Sequence, residues 1–193
     1  MNLPKHLTCG ALAPRGIGWL VLVIGSLFLN TARGQRYTSE AGSVSFFSDA
    51  PVEDISASNT AVGSLFDLAS GELVFVVPIK DFQFDKRLMR EHFNEKYMET
   101  HKYPKASFKG NVTGYQAGKV GPQQVNVQGK LTIHGVTRDV NVGGTLDFAG
   151  GKILAKSKFV VKLADYNITV PQIVWQNIAE DVEVSVQFTY KPL

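Results

Sequence analysis

The chain ends in a strict alternation. Val182, Val184, Val186, Phe188 and Tyr190 interleave with Glu183, Ser185, Gln187 and Thr189. Successive side chains of a strand point to opposite faces, so this period marks a strand with one dry face and one wet face. The same period runs through Val125, Val127, Leu131 and Ile133, set between Gln124, Asn126, Gln128, Lys130 and Thr132. It returns at Ile153, Ala155, Phe159, Val161 and Leu163 against Lys156, Lys158 and Lys162. Leu73, Phe75, Val77 and Ile79 make a fourth set, in which Val74 and Val76 blur the wet side. Shorter candidates lie at 44–47, 55–62 and 106–112, and His134-Gly135 between Ile133 and Val136 has the form of a tight hairpin turn. Roughly eight or more such strands in one domain restrict the fold to a barrel or a sandwich.

One segment departs from the period. Leu88, Met89, His92, Phe93 and Tyr97 recur at spacings of one, three and four, with Lys86, Arg90, Glu91 and Glu95 on the other side. That pattern predicts an amphipathic helix over about 85–100, with Asp85 as its N-cap and Pro104 launching the next strand.

Alternation does not say which face is inside, because an outer-membrane barrel turns the same apolar stripe toward lipid. The chain closes on Tyr190-Lys191-Pro192-Leu193 without a terminal aromatic, and its polar faces carry long cations such as Lys156, Lys158 and Lys162. Both features favour a water-exposed barrel with an apolar interior. Phe46 and Phe47 are neighbours, so one of them must point outward.

The first 34 residues read as a secretory signal peptide. Lys5 and Arg15 precede the apolar run 17–29, and Ala32-Arg33-Gly34 supplies the small-residue pattern for a cut before Gln35. The run is well short of the ~20 residues that span a bilayer as a helix. Residues 35–193 are then one exported domain, destined for the periplasm or the exterior. The whole chain carries a formal charge of +3. Lys5, Arg15 and Arg33 leave with the leader, so the remainder is neutral, and nothing resembles a phosphate-binding surface for nucleic acid. The single cysteine, Cys9, leaves too, so the core alone must hold the domain.

No catalytic constellation stands out. His134 lies beside Thr132 and Thr137, with Asp139 nearby, but no nucleophile accompanies it, and the expectation is a turn residue bonded to backbone. His92, His101 and His134 match no compact metal spacing, so neither a metal nor another cofactor is expected. Asn111-Val112-Thr113 and Asn167-Ile168-Thr169 are incidental glycosylation sequons. Asp81, Asp85 and Glu91 with Lys80, Lys86 and Arg87 form a mixed-charge cluster, which is either a solvated helix face or a polar mouth.

Two further motifs carry a family resemblance. One is Lys102-Tyr103-Pro104 followed by Ala106-Ser107-Phe108; the other is Gly129-Lys130-Leu131-Thr132-Ile133-His134-Gly135-Val136-Thr137-Arg138-Asp139-Val140. With Ala164-Asp165-Tyr166-Asn167-Ile168 and the final alternating strand, they resemble the YceI-like family over residues 37–190. The stretch 79–88 departs from the family pattern at the start of the helix, near the expected cavity mouth. The resemblance implies an antiparallel lipocalin-like β-barrel with a helix at one end, and an interior that holds a polyisoprenoid or another long amphiphile. It implies a binding protein rather than an enzyme.

Alternation then assigns the cavity lining to Phe75, Val77, Phe108, Val127, Leu131, Phe159, Val161, Val186 and Phe188, with Phe82, Leu88 and Phe93 near the mouth. A small barrel can equally fill itself with side chains. Ala106, Gly110, Gly129 and Ala155 among the inward positions, and the twelve phenylalanines of the chain, favour a cavity. The expected function is sequestration or transport of an amphiphilic lipid, with transient membrane contact and homodimer formation both compatible with the sequence. The rival readings are a filled-barrel interaction module and, less favoured, a hydrolase or isomerase using His134.

Overall fold

The computed structural model describes residues 35–49, 54–169 and 179–193; the expected leader lies outside them. Each stretch of alternation is a strand. In chain order these are β1 (Arg36–Ser48), β2 (Ile55–Asn59), β3 (Gly63–Asp67), β4 (Glu72–Pro78) and β5 (Gln83–Phe84), then β6 (Lys105–Thr113), β7 (Gly121–Ile133), β8 (Val136–Ala149), β9 (Lys152–Lys162) and β10 (Asp181–Pro192). Antiparallel ladders join β10, β9, β8, β7, β6, β4, β3 and β1 in that order, and β1 pairs back onto β10. The result is a closed eight-stranded antiparallel barrel, which leaves its main wall without an edge strand.

One end of the barrel, the base, is filled. Phe66, Ile153 and Tyr190 are each 1% exposed there. The Tyr190 ring lies 5.9 Å from Phe66 and 5.8 Å from Phe188, and Phe75 stacks on Phe108 at 5.2 Å. The Tyr190 hydroxyl shares a 2.6 Å hydrogen bond with Ser64 Oγ, so the buried phenol is satisfied. The inward glycines serve this filling. A Cβ on Gly42 would lie 2.6 Å from the Phe188 ring, and one on Gly110 would lie 2.6 Å from the tip of Phe108. The expectation that Gly110 and Gly129 leave cavity space is therefore corrected: the backbone of the paired strand and the Phe108 ring occupy it.

Toward the opposite end the wall divides twice. The strand expected at 55–62 ends at Asn59: β2 pairs with the Val44–Ser48 part of β1, whereas β3, which the period did not show, pairs with the start of β1 and with β4. Asn59 is fully buried at this split. Its Nδ2 donates to the Pro78 carbonyl at 2.7 Å and its Oδ1 accepts from the Ala61 N–H at 2.8 Å, which ties the diverging strands. A polar side chain satisfied at both ends is tolerated there, whereas an apolar one would leave backbone groups unpaired. Ile79 and Phe82, 4% and 5% exposed, follow β4 across the split, and β5 then pairs with β2. The second division lies between β8 and β9, whose ladder runs from Ala149–Lys152 to Gly144–Ser157 and stops.

The helical segment is shorter than its periodicity predicts. A six-residue helix, α1 (Arg87–His92), passes into a wider π turn at Phe93–Tyr97. The cap position is Lys86, in extended backbone and with no side-chain cap bond, so Asp85 is not the N-cap. The reason is tertiary. Phe93 packs against Phe46, Phe82 and Phe84 at centroid distances of 5.5, 5.6 and 5.0 Å, contacts that local spacing does not register. A left-handed Glu99 then reverses the chain, and its carbonyl accepts from the N–H groups of Lys102 and Tyr103.

Candidate functional site

Between α1 and the filled base lies a cavity of about 530 Å³. The inward positions of the strands build its wall: Phe75 and Val77 from β4, Leu131 from β7, Phe159 and Val161 from β9, and Val186 from β10. Phe82, Leu88 and Phe93 line the helix side. Nine of the twelve side chains expected at the cavity are therefore brought together on it. The other three, Phe108, Val127 and Phe188, also face inward but line a separate void of about 60 Å³ nearer the base. The period-two spacing puts the nine strand residues among the twelve on the inward face, and height along the barrel axis separates those nine between the two spaces.

Several lining residues escaped the sequence reading. Val44 and Phe46 from β1 and Met98 after the helical segment belong to the cavity, as do Val182 and Val184. Val182 and Val184 were visible in the alternation of the last strand. Phe84 sits on a two-residue strand, too short to show a period. The paired phenylalanines resolve cleanly: Phe46 faces in, and Phe47 faces out with 40% exposure.

Polar groups on the lining are few. Ser48 is spent on the chain itself, its Oγ accepting from the Ala179 N–H at 2.9 Å. Lys86 and His92 stand at the helix side, and burial raises the Tyr97 phenol above its ordinary range, so it remains a neutral hydroxyl. Leu88 is 61% exposed and forms part of the rim. Within the mixed-charge cluster, Arg87 donates to Glu91 at 2.7 Å on the exposed helix surface. Such a chamber can solvate a hydrocarbon and offers little else.

His134 does not face the chamber. It is the first residue of a two-residue turn in which both His134 and Gly135 have positive φ, +50° and +74°. Its Nδ1 lies 3.2 Å from the Tyr166 carbonyl, and its Nε2 lies 3.3 Å from a carboxylate oxygen of Glu99. The Tyr103 ring covers it at 4.4 Å, and a Cβ on Gly135 would lie 2.6 Å from that ring. Arg138 Nε donates to the Asp165 carbonyl at 2.8 Å. The three motifs that stood out in the sequence thus meet in one corner as a clamp. The neighbours that made His134 tempting are engaged elsewhere: Thr132 bonds Thr137 at 2.8 Å, and Asp139 pairs with Lys130 at 3.0 Å. Among the described residues, no three His, Cys, Asp or Glu side chains converge as a metal site would require.

Solved structures share this architecture. A polyisoprenoid-binding domain from Saccharophagus degradans is 18% identical, with a TM-score of 0.71, and the match covers 81% of this chain and 98% of that one. BcnA from Burkholderia cenocepacia is 20% identical, with a TM-score of 0.64 and coverages of 77% and 95%. The Campylobacter jejuni YceI protein is 17% identical, with a TM-score of 0.53 and coverages of 67% and 78%. At these identities the likeness speaks for the fold. No curated protein matches the chain. The model of the YceI-like domain matches residues 30–190, most of the sequence, and the chain therefore belongs to the YceI-like family.

Proposed function

We propose that this protein is exported and holds the hydrocarbon chain of an amphiphilic lipid, such as a polyisoprenoid, in the chamber beneath α1, without making or breaking a bond. The observation that carries this reading is the chamber itself: about 530 Å³, walled by Val, Ile, Leu, Met and Phe. That size falls within the roughly 300–1,000 Å³ of small-molecule sites. Each methylene moved from water into such a chamber gains about 0.8 kcal/mol, so a long chain binds tightly without a directed hydrogen bond. The polyisoprenoid-binding description of the Saccharophagus degradans domain supports the choice of ligand class. Lys86 and His92, on the helix side of the lining, would meet a polar head. The exposed Leu88 would enter the membrane surface from which a chain is taken. Residues 1–34 would direct export and be removed.

The test is native mass spectrometry of the full-length gene product purified from a bacterial host, followed by organic extraction. The expected result is a mass lacking residues 1–34 and one copy of a long-chain amphiphile. A lipid-free mass, with no rise in melting temperature when polyprenols are offered, would defeat the carrier reading and favour an interaction module.

A further inference from the structure

The division between β8 and β9 is a feature of the barrel that holding a ligand under α1 does not use. β8 stays paired with β7 as far as Val136, and β9 stays paired with β10 as far as Lys162. Between each other, however, the two strands form no ladder beyond Gly144–Ser157. The vertex is fixed: Ser157 Oγ donates to the Gly143 carbonyl at 2.7 Å, and a Cβ on Gly144 would lie 2.9 Å from the Lys156 carbonyl. The top is fixed as well, where the 3-10 turn Leu163–Tyr166 is held to β8 by Arg138 and to the β7–β8 turn by His134. What remains is a notch in the wall, closed above and below.

The side chains at this notch are inward-facing yet incompletely covered. Val140 and Val142 of β8 and Phe159 of β9 are half-buried. Where the same two strands are paired, Leu146, Phe148 and Ile153 are 3%, 8% and 1% exposed. Val140, Val142 and Phe159 line the smaller void of about 60 Å³. That void shares Phe75, Leu131, Phe159 and Val186 with the main chamber, so only the thickness of these side chains separates the two spaces. On its base side the void is bounded by Phe108, Phe188 and Tyr190, with Phe75 packed on Phe108 at 5.2 Å and on Phe188 at 5.8 Å.

Resting on the carrier reading above, we infer that the notch between β8 and β9 is a second, lateral opening of the chamber, through which the far end of an apolar chain too long for the chamber passes. Two observations give the occupant: the four side chains that border both spaces are all apolar, and the smaller void lies directly behind them. Phe159, which borders both spaces, turns aside to admit the chain. Chains short enough for the chamber never reach the notch, so the opening sets which lengths bind best.

The experiment measures binding of farnesol, geranylgeraniol and solanesol to the full-length gene product and to its Val142→Trp variant. The unsubstituted protein should bind more tightly along the series. Val142→Trp should cost solanesol at least about tenfold in affinity and leave farnesol within about twofold. An equal loss for all three alcohols, or none for any, would overturn the lateral opening while leaving the carrier reading intact. No uptake of any alcohol by the unsubstituted protein would overturn both. Should the tryptophan variant misfold, a second measurement decides. In a Cys9→Ser background, a fluorophore on Asn141→Cys should be quenched by a solanesol analogue carrying a nitroxide at its far end, and one on Gln116→Cys near the base should not. Equal quenching at the two positions, or quenching at Gln116→Cys alone, would place the tail in the base and overturn the notch.

Discussion

The two halves of this barrel are made of the same alternating apolar residues and come to opposite ends. In the base, eight strands close into one wall with a single register shift between Ser39 and Ala41 of β1, and aromatic rings fill the interior down to the backbone of Gly42 and Gly110. Toward α1 the wall divides at two places and the interior stays open over about 530 Å³. Apolar content does not explain the difference, because Phe46, Phe82, Phe84 and Phe93 crowd the open half just as Phe66, Phe108 and Phe188 crowd the other. What differs is what the rings meet. Base rings reach across to one another and to glycine, whereas those near the mouth cluster on one side, beneath the helical turn. Pairing all the way round brings opposite walls within reach, and splaying moves them apart.

Four measurements would break or sharpen this contrast. The largest effect belongs to Phe188→Ala. Phe188 is 2% exposed and seated on Gly42, so its loss should cost about 3–5 kcal/mol in urea unfolding and leave a cavity the base cannot collapse. A cost below about 1 kcal/mol would mean that the base is as loose as the mouth. Val184→Trp reverses the logic. Val184 points into the chamber, so a larger ring should fit with little change in stability, yet weaken binding of a long polyprenol at least about a hundredfold, equivalent to about 2.7 kcal/mol. Destabilisation without loss of binding would refute the assignment.

Tyr190→Phe comes third. It removes the hydrogen bond to Ser64 and should cost about 1 kcal/mol at neutral pH. Burial holds the Tyr190 phenol proton well above the ordinary tyrosine range, while an unfolded tyrosine ionises near about pH 10. Its contribution is therefore intact below that pH and is lost as pH rises further, since only the unfolded chain releases the proton. The phenylalanine variant should show a shallower alkaline fall in stability, and an unchanged profile would show that Tyr190 is not the group responsible.

The smallest effect is that of Glu99→Gln. The hydrogen bond from Lys102, and to a lesser degree His134, holds the Glu99 carboxyl below its usual range. Its contribution is present above about pH 4.3 and fades as pH falls through the lowered value, so the variant should soften the acid limb of a melting-temperature profile. Glu99 lies in the motif corner at the mouth end, so this variant asks whether that clamp matters at all once the base is intact.

Much of the molecule was legible from period alone. Every segment read as a strand contains one, although 55–62 ends at Asn59, β3 was not read, and β8 was signalled only by the His134-Gly135 turn; the spacing also left Phe46 against Phe47 undecided. The failures have identifiable causes. The break after Asn59 depends on a hydrogen bond to Pro78, nineteen positions away, which no local pattern encodes. The helix was overextended because Leu88, Met89, His92, Phe93 and Tyr97 keep helical spacing into the π turn, where packing of Phe93 on three rings of other segments takes over. The glycines were read as space because their neighbours across the ladder were unknown. Phe108 lies two residues from Gly110, and its ring also covers Gly129 on the next strand.

By itself, then, the sequence determined which residues face inward, because a strand has only two faces and the choice repeats with every second residue. It also determined the family, through motifs whose residues clamp a corner of the fold rather than line its chamber. Only the tertiary structure decided where the interior is full and where it is hollow. That outcome depends on which strands stay paired and on which rings meet across the barrel, and both are long-range contacts that period-two spacing does not contain.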